Sequence, residues 1–156
     1  MPTKLALEIF DAFASICSPI VGELDRPDTA IEWPGKPRPL WPRADISGHL
    51  QTGERFIVEV DDHSDPARSL GKYWPLIHAT HVGEYEHPPI EYFCMSSRDA
   101  TFGTGFEDLA RFMGQRFMCL YPSTFRFAIT ELRGKTADAL AGELLRYLSE
   151  GRIASN

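Results

Sequence analysis

Apolar side chains recur every three to four residues over residues 4–16. Leu5, Ile9, Phe10, Phe13 and Ile16 share one face, and Lys4, Glu8, Asp11 and Ser15 share the other, which predicts an amphipathic helix. Residues 18–42 break this pattern with turns and the proline-dense run "WPGKPRPLWPR", too rich in proline to pair as a central strand, with room for a short strand near 29–33. "RADISGHL" and "RFIVEVD" flank "QTG" and read as a hairpin. Pro66 suits the first position of a second helix, with Ser64 or Asp65 as its cap, and Pro75 kinks or divides it. "IEYFCM" then reads as a buried strand, "FEDLARFMGQRFM" as an amphipathic helix, "FRFAITEL" as a strand and "TADALAGELLRYL" as a terminal helix capped by Thr136. The order helix, hairpin, helix, strand, helix, strand, helix predicts one α/β domain over residues 1–156, with a mixed sheet and helices on both faces.

The hairpin register decides where the charges fall. A three-residue loop ending in left-handed Gly53 pairs Leu50 with Glu54, then Gly48 with Phe56, Ile46 with Val58 and Ala44 with Val60, which makes one face apolar throughout. The other face then holds Asp45 opposite Glu59, with Asp61 two residues along. A two-residue loop would mix core and solvent faces. Opposed like charges destabilise a strand pair unless a cation or proton intervenes. Three carboxylates at one strand end are therefore either a solvated face or an oxygen-ligand site of the kind that suits Mg2+ or Mn2+, with Asp45, Glu59 and Asp61 as the metal ligands.

At 156 residues, 43% of them hydrophobic and 24% charged, the chain has the size and composition of one globular domain. No apolar run approaches the ~20 residues needed to span a bilayer, so no membrane partner is expected. The N-terminal apolar stretch carries Glu8 and Asp11 and has no small-residue cleavage site, so a cytoplasmic location is expected. Three widely spaced cysteines, Cys17, Cys94 and Cys119, fit neither a zinc site nor a disulfide scaffold and read as buried thiols. A net charge of −6 excludes coating of nucleic acid by bulk positive potential, so any such contact is local. The proline-rich arm interleaves Trp33 and Trp41 with Lys36, Arg38 and Arg43, the mixture that phosphate contact with base stacking needs. An arm packing its tryptophans on the core is the alternative.

An acid near the start of one hairpin strand, then "E-x-D" in the next, set between a first helix and a second, resembles the PD-(D/E)XK nuclease superfamily over roughly residues 4–96. The resemblance implies a restriction-endonuclease-like core and a Mg2+- or Mn2+-dependent phosphodiesterase acting on nucleic acid. Asp45 and Glu59 would be its metal ligands, with Asp61 a further ligand or water contact, and Glu8, failing which Glu23, the assisting helix acid. The family's lysine position holds Asp61 here. Family members whose lysine has moved to the following helix have a counterpart in "EVDDHSDPARSLGKYW", where Lys72 or Arg68 would act at the phosphate. On an ideal helix, however, Leu70, Tyr73, Trp74 and Ile77 form the core face and leave Arg68 and Lys72 opposite.

The acidic charge implies a narrow site, a short substrate or a partner protein that supplies nucleic-acid binding, and a homodimer is compatible with it. His78 and His81 in "HATH" lack further metal ligands and read as ordinary histidines, while His63 beside the acids is a candidate proton carrier. The "FGTGF" loop, with Ser97 and Arg98 nearby, has backbone N–H groups suited to a phosphate. A catalytically silent module of the same fold, binding nucleic acid or protein, is the rival, favoured by the missing lysine after Glu59. An unrelated α/β domain with acids capping a strand end is a third alternative.

Overall fold

The helical spacing at the N-terminus builds α1 (Lys4–Ala14), capped by Thr3, whose hydroxyl accepts from the Ala6 N–H at 3.1 Å. The structure, a computed structural model, describes residues 2–33, 35–62, 64–84, 86–97 and 105–150. Where turns alone are expected, a short strand β1 (Val21–Leu24) forms and pairs antiparallel with a later strand. Its residues carry little pattern of their own, and only the neighbouring edge makes them a strand. β2 (Thr29–Ala30) falls in the expected position.

The stretch read as one hairpin strand is divided by a bend at Asp45 into β3 (Arg43–Ala44) and β4 (Ile46–Leu50). β4 pairs antiparallel with β5 (Arg55–Asp61), with Ile46 opposite Val58 and Gly48 opposite Phe56, and Gly53 closes the turn with φ +102°. The bend corrects one part of the expected register. Ala44 pairs with Thr29 instead of Val60 and is buried in the other core layer from Ile46.

Two helices, α2 (Pro66–Gly71) and α3 (Trp74–Val82), cross over to β6 (Ile90–Ser96), parallel to β5. α4 (Gly105–Leu120) crosses to β7 (Phe125–Glu131), parallel to β6, and α5 (Ala137–Ser149) closes the described chain. The sheet order β1-β4-β5-β6-β7 is mixed.

The pleat of β5 separates two cores. Phe56, Val58 and Val60 meet Ile9 and Phe13 of α1 and Leu140 and Leu144 of α5 on one face. Ile57 meets Leu70, Tyr73 and Ile77 of the α2–α3 segment on the other, together with Tyr92 and Phe127. All seven residues of β5 are buried, so Arg55, Glu59 and Asp61 are drawn inside on the second face. Of the three cysteines, Cys17 and Cys94 are buried and Cys119 is exposed, against the expectation for it. Among the described residues no helix is long and apolar enough to cross a membrane.

Candidate acid and lysine site

Glu59 and Asp61 lie near the carboxyl end of β5, beside the parallel strand β6, where open α/β sheets place their ligand sites. The ladder ends at Ile46 and Val58, so Asp45 is not paired with Glu59 as the register predicts, although its charge still acts on Glu59. Because the bend ends the ladder there, the Asp45 side chain supplies the missing acceptor, taking the Val60 N–H on Oδ2 at 2.7 Å.

Glu59 is 4% exposed and its carboxyl is pushed up to about 8. Burial is the main cause, and the Asp45 and Asp61 charges add to it, while the Lys72 ammonium opposes them. Lys72 Nζ lies 2.5 Å from Glu59 Oε1, and the Tyr73 hydroxyl donates to the same oxygen at 2.9 Å. Tyr73 is fully buried, and burial beside Glu59 keeps its hydroxyl protonated. Its contact with Glu59 was legible only as part of a core face.

The ideal-helix count fails at Lys72 because the helix stops there. Lys72 is the last cap of α2, its backbone N–H returning to the Arg68 and Leu70 carbonyls, and Pro75 sits in the first turn of α3. The break frees the lysine stem to swing across the sheet end, where Nζ also lies 3.5 Å from the Arg43 carbonyl. Leu70, Tyr73 and Ile77 keep the core face, whereas Trp74 is 44% exposed.

Asp61 is 4% exposed but differently engaged. The hydroxyls of Ser64 and Ser69 donate to Oδ1 at 2.9 and 2.6 Å, and the Cys94 thiol points at Oδ2 at 3.4 Å. Burial raises its pKa, and those hydrogen bonds oppose the rise. Ser69 sits one turn into α2, so Asp61 ties the helix start to the strand end. Among the described residues no group of three or more His, Cys, Asp or Glu side chains is arranged to hold a metal ion. The carboxylate group expected for Asp45, Glu59 and Asp61 is not assembled as one.

Glu8 does not join this cluster. It is exposed on α1, in the layer against the opposite face of the sheet, with its carboxylate 3.9 Å from Lys4. Glu23 is exposed on β1, opposite His49. Arg68 is exposed on α2. In the proline-rich arm, Lys36 lies over the Trp33 ring at 5.6 Å, Arg38 over the Trp41 ring at 5.7 Å, and Arg43 pairs with Asp28 at 3.3 Å. Lys36 and Arg38 therefore rest on the arm's own rings, and Arg43 on an acid of the turn before β2. His78 and His81 are satisfied by the Tyr121 and Thr124 hydroxyls. His63, Arg98 and residues 102–104 of the glycine loop lie outside the described residues.

Comparison with protein-family models, with curated proteins and with solved structures finds no match to the chain.

Proposed function

We propose that the chain is a metal-dependent phosphodiesterase acting on nucleic acid, built on a PD-(D/E)XK-like core. The observation that carries this is Lys72: a helix break delivers its ammonium to Glu59, on which the Asp45 charge also acts. A glutamate and a lysine thereby meet at the end of a parallel strand, with an aspartate acting on the glutamate through its charge, inside a helix, hairpin, helix, strand order.

Two carboxylates suit the proposed cation. Mg2+ binds through one or two carboxylates, keeps several waters and takes its other ligands from the substrate. Asp45 and Glu59 are such a pair, and the pressure of Asp45 on the buried Glu59 is the kind that a cation relieves. When bound, the ion would lower the pKa of a water and offset charge building on the phosphate. Asp61 acts instead through Ser64 and Ser69, fixing α2 and with it the cap that carries Lys72. Lys72 exchanges its contact with Glu59 for the substrate phosphate, and Tyr73 keeps the Glu59 carboxylate in place.

The test is cleavage of single-stranded DNA, double-stranded DNA and RNA with Mg2+ or Mn2+, in parallel preparations of wild type, Glu59→Ala, Lys72→Ala and Arg68→Ala. Glu59→Ala should lose at least ~100-fold. Lys72→Ala should lose at least ~10-fold, and Arg68→Ala should keep most activity. Equal residual cleavage by wild type and Glu59→Ala overturns the proposal. One observation favours a silent module of the same fold, namely that Glu59 is already satisfied internally by Lys72 and Tyr73. Such a module would bind no Mg2+ even above pH 8.

A further inference from the structure

Arg55 and Glu59 lie on the same face of β5, four residues or about 13 Å apart. At the Arg55 end lies a cavity of about 320 Å3, lined among others by Glu32, Trp41 of the proline-rich arm, His49, Arg55, His87 and Pro88. Its volume is in the range of small-ligand sites.

The chemistry of the walls narrows the ligand. The Arg55 guanidinium is 10% exposed and already neutralised by Asp25 at 3.0 Å, and Asp25 is held by the Ser47 hydroxyl at 2.8 Å. With Glu32 also on the wall, the pocket has no surplus positive charge for a phosphate. The two histidines are neutral at pH 7, because burial and the Arg55 charge lower both pKa values. Their tautomers follow from their partners. Arginine only donates, so His49 Nδ1, 3.4 Å from Arg55 Nη1, is an acceptor and Nε2 carries the proton. A carbonyl only accepts, so His87 Nδ1 donates to the Pro88 carbonyl at 2.7 Å and Nε2 is left as an acceptor. The walls thus combine an N–H donor, a ring-nitrogen acceptor, a carboxylate and the flat indole of Trp41.

We infer that this cavity is a nucleobase site, which takes an unstacked base through the ring nitrogens of His49 and His87 and the Glu32 carboxylate, against Trp41. Alternating donors and acceptors beside an aromatic plane match the edge and face of a base, and the paired Arg55 and the Glu32 carboxylate disfavour a phosphate. This deepens the nucleic-acid reading proposed above. A strand with its phosphate at Glu59 would bring a base about four stacked nucleotides away, or fewer if unstacked, to the pocket.

The test is titration of the full chain with adenosine, guanosine, cytidine and uridine in EDTA, followed by calorimetry, with inorganic phosphate and ribose as controls. At least one nucleoside should bind with a dissociation constant of about 1 mM. His87→Ala and the surface variant Glu32→Gln should each weaken it at least fivefold, and the exposed Arg68→Ala should leave it unchanged. Phosphate and ribose should not compete. The inference is overturned if no nucleoside binds at about 10 mM, if neither variant weakens binding, or if phosphate competes. EDTA separates the two proposals: nucleoside binding without any cleavage would sink only the phosphodiesterase, and cleavage without nucleoside binding only the base site.

Discussion

Replacing Glu59 with glutamine should remove the loss of stability that this carboxyl imposes as pH rises from 4.5 to 8. In the native state the buried carboxyl holds its proton up to about pH 8, whereas its ordinary value is 4.5. Across that window the native state holds the Glu59 proton and the unfolded chain does not, so the contribution of Glu59 to stability falls as pH rises. At ~1.36 kcal/mol per pH unit, the loss accumulated by pH 8 is on the order of 4–5 kcal/mol, a large share of a domain's whole stability. The amide of Glu59→Gln would keep an acceptor for the Tyr73 hydroxyl and carry no charge to bury. Urea unfolding in EDTA, at half-unit steps from pH 5 to 9, gives the difference between the two proteins. It should be smallest at pH 5 and move by several kcal/mol in favour of the Glu59→Gln variant by pH 8.5. A difference constant within ~0.5 kcal/mol would refute both the burial argument and the placement of Glu59.

Asp45→Asn should raise metal-free stability at pH 8.5 by about 1 kcal/mol, since the amide oxygen can still accept from Val60 N–H while one repulsive charge is gone; an unchanged or lower melting temperature in chelator contradicts this. Because Glu59 must lose its proton to bind a cation, Mg2+ affinity should fall about tenfold per pH unit below 8 and level off above it, and a flat profile by calorimetry would count against Glu59 as a ligand. Gly48→Ala should cost about 3 kcal/mol or more, because the added Cβ would stand 2.2 Å from the Glu23 carbonyl and 2.8 Å from the Phe56 ring; an unchanged urea midpoint would show that β1 does not lie against β4.

Period and punctuation were enough for most of the architecture. The 3.6-residue spacing of α1 and α5, the alternation around Gly53, and Pro66 behind Asp65 are local signals, because each depends on backbone geometry within a few residues. The hairpin register was legible for the same reason, since one slip would have sent Ile46 and Val58 to the wrong face. What depended on distant segments was not legible. β1 is a strand only because β4 offers an edge, and Asp45 bends out of its strand because Ala44 pairs with Thr29. Asp61 leaves the carboxylate row because two serines of the α2 segment reach it. Lys72 comes to Glu59 against its helical phase. Pro75 marked the break in the chain, but the direction of the freed lysine was set by the buried Glu59 carboxyl it contacts, which belongs to a different element of the fold.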